Sequence, residues 1–459
     1  IALDRIVPGR VDIVSTGSDA NMAAARASLG DAESMVGQGY RRNNAGEYAD
    51  AAEFFQPELL GLADAGQAGF EQLTLLHELL TNRALQFSNL EDPGSAARLF
   101  AQARELAGSD PIQTRLSRNY EAIDALNRGA FDDADAILAR PVPAVSLADE
   151  DLGGSFEIDR RLALWLNAGG DTTLSDSLTQ EAGLSTYERA AIIDAQARQL
   201  HGTVLRLRGD NAAARSEIVA ARSAMLAVRD GRVLTTTRLN AQMLGEIALT
   251  LEAEGNYGSA EAHLREAVVL LETRYPDSPS VNGGRARLAA FLARRGRNGE
   301  AMALYRELVE ATVGERGALV GMENQMRPYF ALLADEVDSN PALADDMFLA
   351  AQLIERPGAA QTLAQLNKRF EARDGAASDL FRQAIDNDRE LTRARMGLAQ
   401  VRLYSPDSDP SALAVLQERI DRLAQVQLEL REELAQYPEY RSVSRNYVTA
   451  AEMRATLGQ

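Results

Sequence analysis

Few side chains in this chain are able to do chemistry. Its 459 residues include three histidines, no cysteine and one lysine, Lys368. The lack of cysteine removes thiol catalysis, disulfides and thiolate metal sites. Lys368 sits in a charged helical stretch, which gives Schiff-base and phosphate-loop chemistry no foothold. His77 and His263 have no ligand partner three or four residues on. Both are read as lying near helix surfaces, so a zinc pair is not expected. His201, one residue before Gly202, is read as a packed, hydrogen-bonded core residue. The acidic groups Asp132-Asp133, Asp149-Glu150-Asp151 and Asp345-Asp346 read as charged turns and solvated helix faces. Gly153-Gly154, Gly169-Gly170 and Gly283-Gly284 follow no predicted strand, so no strand–turn–helix cradles a phosphate. A Gly-x-Ser-x-Gly elbow is missing as well. The expectation is a chain with no catalytic residue, no metal and no cofactor.

Charge and hydropathy narrow the partners. The formal net charge is −19, and a broadly acidic surface repels phosphate backbones, so nucleic acid is not expected to bind. No window approaches eighteen consecutive apolar residues, so no membrane-spanning helix is expected. The first residue is Ile1 rather than Met. Removal of a signal peptide or trimming would both produce that start, and the reading favours an exported, periplasmic or cell-surface protein over a cytoplasmic one. The compartment, the partner and the oligomeric state are otherwise open.

Recognition chemistry must therefore be positioned by the larger elements, and these are legible. Ala, Leu, Arg and Glu dominate while aromatics make up 5%, a composition that favours closely packed helices. A small residue is followed twelve positions on by alanine, and four further by a bulky apolar residue. The triplets are Gly39, Ala51, Phe55; Ala84, Ala96, Phe100; Ala122, Ala134, Leu138; Gly202, Ala214, Ile218; Ala248, Ala260, Leu264; and Ala289, Ala301, Tyr305. A seventh, Leu332, Ala344, Phe348, breaks the first position. Turn signals such as Gly129-Ala130-Phe131, Gly209-Asp210-Asn211 and Gly296-Arg297-Asn298 fall inside the triplets. Two antiparallel helices approach closely only where both present small residues, and the bulky residue one turn later fills the groove beside them.

This pattern resembles the tetratricopeptide repeat, with a period of about 42 residues rather than the usual 34. The implied fold is all-α: a tetratricopeptide-like right-handed α-solenoid of about eight hairpins over 21–355. An extended arm (1–20) precedes it, and a degenerate hairpin at 150–185 has Leu162 and Trp165 in its core. In such repeats the first helix of each hairpin lines the inner groove. Counting back from the alanines places Asn43, Asn44, Asn89, Asn119, Asn127, Gln199, Arg206, Gln242 and Arg294 on exposed groove positions. Side-chain amides carry both donor and acceptor and so suit the backbone of an extended peptide. Arg206 and Arg294 suit a carboxylate.

After Arg356-Pro357-Gly358 the pattern changes to two long charged helices, 359–400 and 410–437, forming a helical hairpin or coiled-coil pair within 356–440. In the second, Leu416, Ile420, Leu423, Gln427, Leu430, Leu434 and Tyr437 follow a heptad seam with one polar position. The stretches FLAAQLIERPGAAQTLAQLNKRFEARDGAASDLFR (348–382) and AQYPEYRSVSRNYVTAAEMRATLGQ (435–459) resemble the region between tetratricopeptide repeats and the caspase-like domain of bacterial CHAT-domain proteins. That resemblance makes 441–459 a linker toward a CHAT domain, and it carries over no catalytic residue. It implies a non-catalytic, protein- or peptide-binding scaffold that regulates or targets a CHAT-type protease. The alternative reading is a structural subunit that self-assembles into an oligomer or filament.

Overall fold

A computed structural model describes residues 70–106, 110–145, 184–231, 233, 236–274, 279–314, 319, 322–354, 375–404, 410–437 and 448–457, together with Ala52 and Phe55. All regular secondary structure among the described residues is helical. The arm at 1–20, Asn43, Asn44, most of the hairpin expected at 150–185 and part of the 441–459 linker lie outside the described residues. The chain forms two compact units, residues 1–255 and 256–459.

The first unit contains α1 (Phe70–Asn89), α2 (Pro93–Leu106), α3 (Pro111–Asn127), α4 (Phe131–Leu138), α5 (Thr186–Leu207), α6 (Asn211–Ala227) and α7 (Thr237–Ala253). Helices α1/α2, α3/α4 and α5/α6 pack as hairpins, and the first helices α1, α3, α5 and α7 touch in that order. Although 146–183 separate them in sequence, α3 and α5 are direct neighbours.

Local chemistry accounts for the helix ends. The Asp110 carboxylate accepts from the N–H groups of Ile112 and Gln113, both at 2.8 Å, with Pro111 at the first helical position. Ser185 and Glu188 form a reciprocal capping box at the start of α5. The turn after α5 places Gly209 at φ +92°, where a side chain would be strained. Glu91 takes the corresponding role after α1 at φ +59°, without the ease of glycine.

The triplets are the packing points. Ala84, Ala96, Ala122, Ala134 and Ala214 are fully buried, with Phe100 and Ile218 beside them. At Gly202 an added Cβ would come 2.5 Å from Ile218 Cγ1 and 3.1 Å from the Ala214 carbonyl, so only glycine allows this approach.

The second unit contains α8 (Tyr257–Arg274), α9 (Pro279–Arg294), α10 (Asn298–Gly314), α11 (Glu323–Glu336), α12 (Leu343–Leu353), α13 (Ala376–Tyr404), α14 (Pro410–Leu434) and α15 (Ala450–Leu457). Ala289, Ala301 and Tyr305 are all buried, and Tyr305 stacks on Tyr329 at a ring separation of 4.9 Å. The seventh triplet does not hold. Its first position is Leu332 rather than a small residue, and Ala344 is exposed while Leu343, Ala350 and Leu353 are buried. Helices α13 and α14 form the expected long hairpin, with the first helix described over Ala376–Tyr404; 359–374 of the expected 359–400 lie outside the described residues. Leu391, Leu398 and Ile420 are packed with Leu413, Leu416 and Leu423, and Ala384 and Leu434 with Phe381, Leu430 and Tyr437. Between these clusters Asn387 Nδ2 donates to Gln427 Oε1 at 2.8 Å and to the Leu423 carbonyl at 2.9 Å. The one polar heptad position thus has its partner.

Candidate functional site

Helix α3 has two polar faces, each turned to a different neighbour. Toward α5, Arg115 Nε and Arg118 Nη2 each donate to Asp194 at 2.9 Å. Arg115 Nη1 also reaches the carbonyls of Pro111 and Pro143. Asn119 Nδ2 donates to the Ile193 carbonyl at 2.8 Å and to Gln196 Oε1 at 2.9 Å. Both guanidiniums and Asn119 are buried, and such groups are tolerated only when paired. This knot fastens two hairpins that are far apart in sequence. Asn119, expected on an exposed position, is fully buried and structural instead.

Toward α1 the situation differs. His77 Nδ1 and Gln113 Oε1 are 3.3 Å apart, and at the other end Asn127 Nδ2 donates to Ser88 Oγ at 3.1 Å and Asn89 Oδ1 at 3.2 Å. The two helices therefore run side by side in the same direction. Along the stripe between these contacts, His77 Nε2, Thr81 Oγ1, Gln113 Nε2, Ser117 Oγ and Asp124 Oδ1 are buried without a hydrogen-bond partner. Native interiors leave few such groups, and each costs free energy. Elsewhere buried helical threonines turn the hydroxyl onto a preceding carbonyl, as Thr250 and Thr312 do at 2.7 Å. His77, expected near a surface, is buried, and burial pushes its pKa below the usual histidine value.

The more open part of the first-helix face lies on α5 and α7. Arg206 Nε donates to Glu246 Oε2 at 2.7 Å, and Thr203 Oγ1 approaches the same oxygen at 3.1 Å. Gln199 is buried and donates to Thr203 Oγ1 at 3.0 Å, a correction to the exposed position expected for it. Gln242 is half-buried one turn before Glu246; Leu207, next to Arg206, and Leu249, three residues after Glu246, are exposed. Arg206 is thus already neutralised, and a carboxylate ligand would have to compete with Glu246. The sequence reading missed Glu246, whose signal is its place one helical turn after Gln242. It also missed Asp194, although two arginines three apart on a buried stripe require a carboxylate opposite them.

In the second unit Arg294 is exposed on α9, next to Arg295, whose guanidinium lies 4.0 Å from the Tyr257 ring centroid. His201, read as a core residue, has its side chain 44% exposed, with Nε2 3.9 Å from Asp135 Oδ1. His263 is half-buried on α8, its Nδ1 2.8 Å from the Ser259 carbonyl one turn back. Buried Arg189 donates twice to the Leu184 carbonyl, and burial lowers its pKa to about 10. Burial likewise raises the Tyr329 hydroxyl to about 12. Among the described residues no group of three or more His, Asp or Glu side chains is arranged to hold a metal ion, and no helix is long and apolar enough to cross a membrane.

The chain matches no protein-family model and no curated protein. Among solved structures it is similar to a Rap protein complexed with competence and sporulation factor, at 12% identity and a TM-score of 0.31, over 88% of this chain and 99% of that one. The apo form of RapI is similar at 11% identity and a TM-score of 0.30, over 88% and 98%. Likeness at this level says nothing about the activity or partners of this chain.

Proposed function

We propose that the chain is a non-catalytic scaffold that binds an extended peptide or protein segment on the first-helix face of α1 to α7. Asn89, Asn127 and Gln242 would read the partner's main chain, and Arg206 with Glu246 would supply exchangeable charge. Buried Asn119 and Gln199 would support these groups from behind. In the second unit, Arg294 is proposed as the holder of an acidic side chain. The supporting observation is internal to the molecule. Gln352 Nε2 donates to the Val448 carbonyl at 2.9 Å, and its Oε1 accepts from the Val448 N–H at 3.0 Å. A side-chain amide on a helix of this fold thus holds a non-helical residue by both polar groups of its main chain. Selection of a displayed peptide library against the full chain tests the reading. Selected peptides should lose at least tenfold in affinity for the Asn89→Ala/Asn127→Ala and Gln242→Ala proteins. Unchanged affinity for all of them would remove this face as the site.

The stretches 348–382 and 435–459 support the further reading that the scaffold serves a CHAT-type protease-like domain. The test is the coding sequence beyond the Gln459 codon, where a histidine and a cysteine in an α/β context are expected. A second reading, self-assembly, draws on Met453 and Leu457, exposed one turn apart on α15. Sedimentation at increasing concentration separates the two, since a constant monomer mass excludes assembly.

A further inference from the structure

The contact between α12 and residues 448–457 carries polar side-chain bonds. Among the described residues it includes the Gln352 amide on the Val448 main chain, Asp345 with Arg454 Nη2 at 2.5 Å, and the packing of α12 on α15. The segment carries its own start signal, since Thr449 and Glu452 cap each other, with Thr449 N–H to Glu452 Oε2 at 2.8 Å and Glu452 N–H to Thr449 Oγ1 at 3.2 Å. That capping box offsets part of the cost of starting a helix of eight residues. Its apolar side chains gain little from docking, because Val448, Met453 and Leu457 are all exposed, Leu457 at 67%. Gln352 itself is half-buried, and Asp345 and Arg454 meet where solvent screens them. Polar, screened contacts with almost no apolar burial hold an element in place only weakly.

We propose that residues 448–457 are a detachable arm, and that Gln352 and Asp345 on α12 form a peptide seat that the arm occupies in the resting chain. The seat selects a residue outside any helix whose free N–H and C=O meet the Gln352 amide, followed six positions on by an arginine for Asp345, as Val448 and Arg454 are spaced. A partner segment of that chemistry displaces the arm, and occupancy of the seat reports whether the arm is free. This site is separate from the α1–α7 face and stands whether or not that face binds a peptide.

The test uses the full chain. Val448→Pro removes the N–H that Gln352 accepts and frees the seat without altering α12. The probe is a fluorescently labelled synthetic peptide of residues 446–459, followed by anisotropy. It should bind the Val448→Pro chain at least tenfold more tightly than the parent, whose own arm competes. Adding Gln352→Ala to Val448→Pro should abolish the gain. Hydrogen exchange gives a second readout: amides of 450–457 should exchange at least tenfold faster than those of α14, and Asp345→Asn should speed them further. Equal binding to the parent and Val448→Pro chains, or exchange in 450–457 as slow as in α14, would overturn the proposal.

Discussion

Replacing Gly202 by alanine probes the packing rule on which the hairpins depend. The new Cβ would stand 2.5 Å from Ile218 Cγ1 and 3.1 Å from the Ala214 carbonyl. Carbon atoms prefer separations of about 3.5–4.0 Å, so the Ile218 side chain or the α6 backbone must retreat by roughly 1 Å. Ile218 is fully buried, and overpacking of this kind costs about 1–3 kcal/mol. Against that, removing a mid-helix glycine gains about 0.5–1 kcal/mol. The net expectation for Gly202→Ala is a loss of up to about 2.5 kcal/mol. Gly258 and Gly299 also lie in helices but have nothing within 4 Å of an added Cβ, so alanine there should be neutral or stabilising by up to about 1 kcal/mol. Urea melts followed by far-UV circular dichroism, with hydrogen exchange to isolate α5 and α6, measure both. A double-mutant cycle sharpens the test. Ile218→Ala alone should cost about 2–5 kcal/mol but less in the Gly202→Ala chain, a coupling of about 1 kcal/mol or more. If Gly202→Ala were as stabilising as Gly258→Ala, close approach would not be the reason for a small residue at this position.

Three other outcomes are expected. Thr81→Val and Ser117→Ala remove buried hydroxyls that have no partner; each should stabilise α1–α3 by about 1 kcal/mol, and destabilisation of both would mean that the hydroxyls are satisfied in solution. Gln427→Ala should destabilise the α13/α14 hairpin by about 1–2 kcal/mol through loss of the Asn387 partner, while Gln427→Leu with Asn387→Leu should recover stability but permit a shifted register, read by crosslinking between cysteines placed on the two helices. On acidification, burial holds His77 below its ordinary 6.5, so below that pH the unfolded chain takes up protons that the folded chain refuses and stability falls. His77→Gln should flatten that limb of the stability–pH curve. A separate loss below about pH 4.5 should follow from Glu217, whose carboxyl is held low by the hydrogen bond from Arg198, and Glu217→Gln should weaken it.

Local pattern carried most of the fold and little of the site. The alternation of small and bulky residues, the in-phase turns at Gly209 and Gly296, and the heptad with Gln427 are all short-range, so the helices, the hairpins and the α13/α14 seam follow from the residues alone. The pattern lapses where the sequence itself breaks it, at Leu332, Ala344 and Phe348: Ala344 is exposed while Leu343 and Ala350 are buried. A 3.6-residue period reveals which residues share a face, but not what covers that face. Asn119 and Gln199 looked like exposed groove amides, and they are buried because α3 meets α5 and α5 meets α7 there. Burial of His77 and half-exposure of His201 have the same origin.

The chain by itself determined that helices pair wherever tiny side chains face each other, because that requirement is met within about forty residues. Only the tertiary structure decided that Asp194 answers two arginines across 146–183, that Glu246 neutralises Arg206, and that Gln352 holds the Val448 main chain. Each of these joins residues from forty to nearly a hundred positions apart, and electrostatic and hydrogen-bond complementarity at that range depends on how whole hairpins stack.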